Sequence, residues 1–195
     1  MHLTSPAELL QALMPASYDK LTGLADRLLF ESRLDMAKAR IRHNGGSLAV
    51  LLLDIDGFRP INDALGHFAG DEILKQFAQR LKSTFRSCDT LARLKDDNFA
   101  ILVEDLPALA DSEIIAGEII SLLASPFRFY DRAIILDVSI GVATCTGGQE
   151  IDGTTLMKQA DAAMHDAKRM PGSFFQTFAG LLVHLAEASA AEMVM

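Results

Sequence analysis

Cysteine is scarce in this 195-residue chain, with only Cys88 and Cys145 present. Two cysteines make no disulfide framework, and these lack the paired spacing of a zinc site. A reducing compartment, the cytoplasm, is therefore the expected setting. Positive charge is the second deficit: 18 Lys and Arg stand against 26 Asp and Glu, for a formal net charge of -8. Such a surface repels both nucleic acid and anionic membrane, so neither is an expected partner, while a nucleotide bound at one site remains compatible with it. Long apolar runs are also missing. The first 14 residues are polar and interrupted by Pro6, with no basic start leading into an apolar stretch, so no secretory leader is expected. The most apolar segment, 178–195, carries His184, Glu187 and Glu192 and reads as an amphipathic helix, not as a membrane span. With 50% apolar and 23% charged residues, and with no repeat or low-complexity linker, the composition is that of one globular domain with short extensions.

What is present is a regular interleaving of elements. Ala7 to Met14 reads as a short helix stopped by Pro15. Ala25 to Arg42 reads as a longer one, closed by His43-Asn44-Gly45-Gly46. Ser47 to Asp54 is an unbroken apolar run after two glycines, as expected of a central strand buried on both faces. Phe58 to Leu65 and Asp71 to Phe85 read as helices separated by Gly66 and Gly70, the second carrying Ile73, Leu74, Phe77, Ala78 and Leu81 as a core stripe. Thr90 to Leu94 and Phe99 to Glu104 flank the polar Lys95-Asp96-Asp97-Asn98 as a hairpin. A helix from Leu109 to Ala124, strands at Phe127 to Tyr130 and Ala133 to Thr144 around Asp131-Arg132, a helix from Thr154 to Arg169 and a short strand at Phe174 to Phe178 complete the pattern. Adjacent hairpins among the helices point to an α+β sheet with helices packed on it.

Chemistry concentrates where the central strand ends. Asp54 and Asp56 lie two residues apart in an extended chain and so share a face. Carboxylates at the end of a buried strand need a cation or a partner. A hard divalent ion with phosphate oxygens is one answer. For Asp56, capping of the following helix is another.

Four motifs in combination resemble the GGDEF (diguanylate cyclase) domain family: Asp54-Ile55-Asp56, Ile61-Asn62-Asp63, Gly70-Asp71 and Lys95-Asp96-Asp97-Asn98-Phe99. Leu21-Thr-Gly-Leu-Ala-Asp-Arg27 resembles the family's entry motif and Ser139-Ile-Gly-Val-Ala143 its late strand. The resemblance implies a nucleotidyl-cyclase-like palm fold, with a central, mainly antiparallel sheet wrapped by helices over 17–178. Residues 1–16 are then an N-terminal helical extension and 179–195 a C-terminal helical tail, suited to joins with adjoining signalling domains. It further implies that Asp54, the Ile55 carbonyl and Asp97 hold Mg²⁺ with GTP, and that Asn62 and Asp71 read the guanine edge. Phe58, Arg59 and Lys168 then stand on the nucleotide, the last two toward its phosphates. A carboxylate and an amide suit guanine, since one accepts from N1–H and the 2-amino group and the other both donates and accepts. Arg86-Ser-Cys-Asp89 is similar to the RxxD motif by which many members bind their product, cyclic di-GMP. An exposed arginine beside an aspartate at a helix end fits the same residues.

The signature hairpin departs from the family. Lys95 and Asp96 replace two glycines where the backbone passes a triphosphate, Asp96 adding negative charge and Lys95 offsetting it. Asn98 replaces a glutamate near the reacting hydroxyl, and an amide cannot act as a general base. The family's arginine after the last helix falls at Gly172. Each such group is worth on the order of 10²-fold in rate, so no catalytic set is expected intact, Asp97 and Asn98 being its remnants. The reading is a catalytically degenerate regulatory module of cyclic di-GMP signalling that binds GTP or cyclic di-GMP. A weak diguanylate cyclase working across a homodimer and a nucleotide-free dimerisation domain are the alternatives. His67 is read as a buried structural histidine, and His165-Asp166 as solvated helix surface.

Overall fold

The computed structural model describes residues 17–179. The helix expected at Ala7 to Met14 and the amphipathic tail beyond 179 lie outside that range. Helix α1 spans Arg27–Asn44, with Asp26 accepting from Leu29 N at its start. Strand β1 follows at Ser47–Asp56, then α2 (Phe58–Leu65) and α3 (His67–Thr84). Strands β2 (Thr90–Lys95) and β3 (Asn98–Glu104) form the hairpin and α4 (Asp111–Leu123) succeeds it. The chain ends in β4 (Phe127–Phe129), β5 (Arg132–Ile134), β6 (Asp137–Thr146), α5 (Gly153–Ala167) and β7 (Phe174–Thr177).

Five strands make the main sheet in the order β2-β3-β1-β6-β7, antiparallel except for the β6–β7 edge. β1 is central and, apart from Asp56, buried along its length, as its unbroken leucines require. Alternate residues serve two cores. Leu51, Leu53 and Ile55 face the side covered by α2, α3 and α4, where Ile73, Leu74, Phe77, Ala78 and Leu81 all pack. Leu48, Val50 and Leu52 face α1 and α5. Period-two alternation thus places Asp54 and Asp56 on the α1/α5 side of the sheet.

Three sequence expectations need correction. Gly70 lies inside α3, because a Cβ there would collide with the Asn62 side chain and press on Phe58. The glycine serves close approach of α2 and α3, not a break between helices. The run from Ala133 to Thr144 is two strands, since β5 pairs only with β4 in a separate ribbon before β6 joins the main sheet along β1. The tight turn of that ribbon falls at Tyr130-Asp131, with Tyr130 in the left-handed region at φ 51. His67 is exposed, as the first residue of α3 beyond the Gly66 cap.

Candidate functional site

At the carboxyl end of β1 the sheet register brings the sequence-predicted acids together. Asp54 pairs across with Asn98 on one side and Ser139 on the other, and Asp56 pairs with Asp137. The Ile55 amide donates to the Asp97 carbonyl at 3.4 Å, which ties the strand end to the tip of the β2–β3 hairpin. Lys168, one residue beyond α5, places Nζ 2.7 Å from Asp54 Oδ1. Asp56 is not a helix cap: Gly57 occupies that position, and Asp56 instead accepts from Ser139 Oγ at 2.9 and 3.1 Å.

The electrostatics follow from this crowding. Burial pushes the Asp97 carboxyl above the usual range, and the charge of Asp54 adds to the effect. Burial likewise raises Asp56, with Asp54 and Asp137 adding to it and the Ser139 hydrogen bond and Lys168 opposing it. The corner therefore carries more negative charge than one lysine offsets. Among the described residues no group of three or more His, Cys, Asp or Glu gathers closely enough to hold a metal ion. Oxygen donors, few carboxylates and unbalanced negative charge fit Mg²⁺ that arrives with phosphate oxygens of its own. Asp54, the Ile55 carbonyl and Asp97 are the residues that would hold it.

The hairpin keeps its shape without glycine. Asp96 adopts φ 48, a conformation that Asp tolerates better than most residues. A device not evident in the sequence supports it. Arg93 donates from Nε to the Asp96 carbonyl at 2.8 Å, and its Nη1 lies 3.3 Å from both carboxylate oxygens of Asp19. Burial works to raise Asp19, but hydrogen bonds from Thr22 and the charge of Arg93 outweigh it and hold the carboxyl below its usual range. The clamp spans 74 residues of sequence, so only folding creates it. Lys95 pairs with Asp96 at 3.6 Å with both side chains exposed, so the tip presents a solvated ion pair where the family has bare backbone.

The remaining residues divide by exposure. Asn62 on α2 and Asp71 on α3 are half-buried and exposed respectively, and among the described residues no hydrogen bond engages either side chain. Phe58 is a packing residue, its ring 6% exposed in the core beneath Gly70, which leaves its backbone for any ligand. Arg59 is 91% exposed and faces its own-helix Asp63 at 3.9 Å. Asn98 donates to its neighbour Asp97 at 3.3 Å.

Arg86 and Asp89 lie away from this corner, in the turn between α3 and β2. Asp89 accepts from the Arg86 backbone N–H at 3.0 Å and not from the guanidinium, so the two form a local turn in place of the expected ion pair. They line a cavity of about 290 Å³ whose wall also holds Glu104, Asp105, Asp111 and Glu118, Arg86 being the single cation among the described residues that line it. No helix among the described residues is long and apolar enough to cross a membrane.

Comparison with known proteins accords with this geometry. The profile of the family described as Diguanylate cyclase, GGDEF domain, matches residues 16–173. The bifunctional diguanylate cyclase/cyclic di-GMP phosphodiesterase MucR of Pseudomonas aeruginosa is 37% identical over 156 residues, 78% of this chain and 22% of MucR. The solved GGDEF domain of TpbB from Pseudomonas aeruginosa superposes with a TM-score of 0.78 at 35% identity, covering 87% of this chain and 99% of that one. The GGDEF domain of DgcB from Caulobacter crescentus, solved with cyclic di-GMP, superposes with a TM-score of 0.75 at 26% identity, covering 91% and 97%. The chain spans 35% of full-length diguanylate cyclase TpbB and a smaller share of MucR. With the palm-like sheet, the acidic strand end and the motif order all in place, the chain belongs to the GGDEF domain family of cyclic di-GMP signalling.

Proposed function

We propose that this domain is a catalytically degenerate GGDEF module that binds GTP with Mg²⁺ and regulates adjoining domains or a second copy of itself in the cytoplasm, without making cyclic di-GMP. The observation that carries the reading is the contrast at one corner. Asp54 meets only the Lys168 ammonium, and the Asn62 and Asp71 side chains have no hydrogen-bond partner among the described residues, while the hairpin tip holds the Lys95–Asp96 pair and an amide at position 98.

Asp71 would accept from guanine N1–H and the 2-amino group and Asn62 would complete the edge, fixing the base between α2 and α3. Lys168 and Arg59 would meet the phosphates as cations. Mg²⁺, when bound, supplies charge neutralisation of the phosphates and orients them. Transfer needs the attacking hydroxyl to lose its proton, and Asn98 cannot take it. The side chains of Lys95 and Asp96 also stand where phosphate must pass close to backbone, and Asp96 brings like charge toward it.

GTP at this corner is favoured over cyclic di-GMP at Arg86. A cyclic dinucleotide is a dianion, and the cavity around Arg86 sets Asp89, Asp105, Asp111 and Glu118 against one arginine, Glu104 being paired with Arg40. Calorimetry with GTP and Mg²⁺ tests the reading. Saturable binding that Asp71→Ala weakens by roughly tenfold or more, with no cyclic di-GMP formed above an Asp54→Ala control, is the expected result. Product formed by the wild-type chain above that control, or no GTP binding at all, overturns it.

A further inference from the structure

We propose that Lys168 is a tethered counter-ion for Asp54, holding that carboxylate until a divalent cation takes it over, whereupon Lys168 is released to the phosphates that accompany the cation. This rests on the reading of Asp54 as the cation ligand of the nucleotide corner.

The two partners are held very differently. Asp54 is buried in β1 between β3 and β6, and its carboxylate cannot follow a departing partner. A carboxylate in that position requires a counter-charge. Ser139 serves Asp56, so among the described residues Lys168 is the one side chain that pairs with Asp54. Apart from its contact with Asp54, Lys168 is anchored among the described residues through its backbone, where its N–H donates to the Met164 carbonyl at 3.0 Å at the end of α5. Its side chain is 34% exposed, and the four-carbon stem can swing the ammonium toward solvent without moving the helix.

Charge gives the exchange its direction. Asp56, Asp97 and Asp137 crowd the same strand end, so a monovalent ammonium leaves the corner negative and a divalent cation neutralises it further. A bare cation must evict Lys168 into water. A cation carrying a triphosphate offers the evicted ammonium new acceptors, so eviction costs less. Lys168 therefore opposes binding of the cation alone and assists binding of the cation with nucleotide.

That opposition of sign is the test, because a merely structural lysine would move both affinities the same way. Mn²⁺ is titrated into the wild-type chain, Lys168→Met and Lys168→Gln, with free Mn²⁺ read by electron paramagnetic resonance, first alone and then with GTP present. Circular dichroism melting of each protein checks that it is folded, and the glutamine variant keeps a neutral donor beside Asp54 should the methionine variant fail to fold. The expected result is Mn²⁺ alone binding roughly tenfold tighter in the variants and Mn²⁺ with GTP roughly tenfold weaker, the effect of making or breaking one charge-assisted hydrogen bond. Mn²⁺ affinity unchanged or weakened in the folded variants, or no Mn²⁺ bound by any of the proteins, overturns the proposal. Tighter Mn²⁺ binding in the variants, with GTP bound by none of the proteins, supports the counter-ion role and sinks the nucleotide reading alone.

Discussion

The α2–α3 pair and the β2–β3 hairpin approach the same strand end from different elements, and substitution has treated them differently. On α2 and α3 the polar residues Asn62 and Asp71 match the family pattern, and Gly70 lets the two helices approach closely. On the hairpin the side chains at positions 95, 96 and 98 depart from the family motif, and the strands still pair as a hairpin. Asp96 occupies the left-handed turn at φ 48 and Arg93 holds its carbonyl from behind. Shape and chemistry are separable here. A hairpin can keep its fold without glycine at its tip, because distant residues clamp it.

The largest expected effect comes from reversing that departure. Lys95→Gly, Asp96→Gly and Asn98→Glu together should raise cyclic di-GMP formation from GTP and Mg²⁺ by about 10²-fold or more, measured chromatographically, since each restored group acts on transition-state charge or positioning. No gain would mean that the missing arginine at Gly172, or the dimer geometry, limits the chemistry. On the other side of the comparison, Asp71→Ala should weaken GTP by roughly tenfold to a hundredfold in calorimetry while leaving the melting temperature unchanged, because an exposed carboxylate contributes recognition and not packing. Equal binding by the variant would show that the α2–α3 side, like the hairpin, has kept its shape without its function.

The clamp is tested by Arg93→Ala. Its guanidinium is 13% exposed and serves both Asp19 and the Asp96 carbonyl, so its loss should cost about 2 kcal/mol of stability in chemical denaturation. Most of the accompanying change in amide spectra should fall at the hairpin. A variant as stable as wild type would sever the hairpin's shape from the clamp.

A smaller effect is the pH dependence of Asp97. Its folded carboxyl lies above the ordinary value of 3.8, so within that window the folded state binds more protons than the unfolded one and stability falls as pH rises. Asp97→Asn should therefore stabilise the chain at pH 7 and flatten that slope. Asp19 carries the opposite sign, being held low. The stability it supplies is present above 3.8 and is lost as pH falls through its lowered value. Smallest of all, Arg86→Ala should leave GTP affinity unchanged, as its cavity is not part of the strand-end corner.

Much of the architecture was legible because local signals agreed with the final packing. The leucine run of β1 reads as a buried strand and is one, and the stripe on α3 packs where its spacing says. The misreadings lie where a residue answers to a neighbour remote in sequence. Gly70 looks like a helix break until Asn62 is packed against it, and His67 looks buried until Gly66 is seen to cap α3 just before it. The β5–β6 boundary is silent in the sequence because Ala133-Ile134-Ile135-Leu136 runs apolar across it, and the choice of partner strand alone divides the two. At the site, the residues were legible one by one while their partnerships were not. The sequence assigns Lys168 to phosphate and Asp54 to a cation, and folding joins the two at 2.7 Å.

The sequence by itself determined the alternation that buries β1 on both faces, the order of elements and the family motifs, since each is a matter of residue type and short spacing. Tertiary structure alone decided that the hairpin turns without glycine at its tip, that Asp54 is held by Lys168 and that the Arg86 cavity is walled by acids. Those outcomes depend on charges and backbone groups brought together across long stretches of chain, and Coulomb and hydrogen-bond energies respond to distance in space, not to separation in sequence.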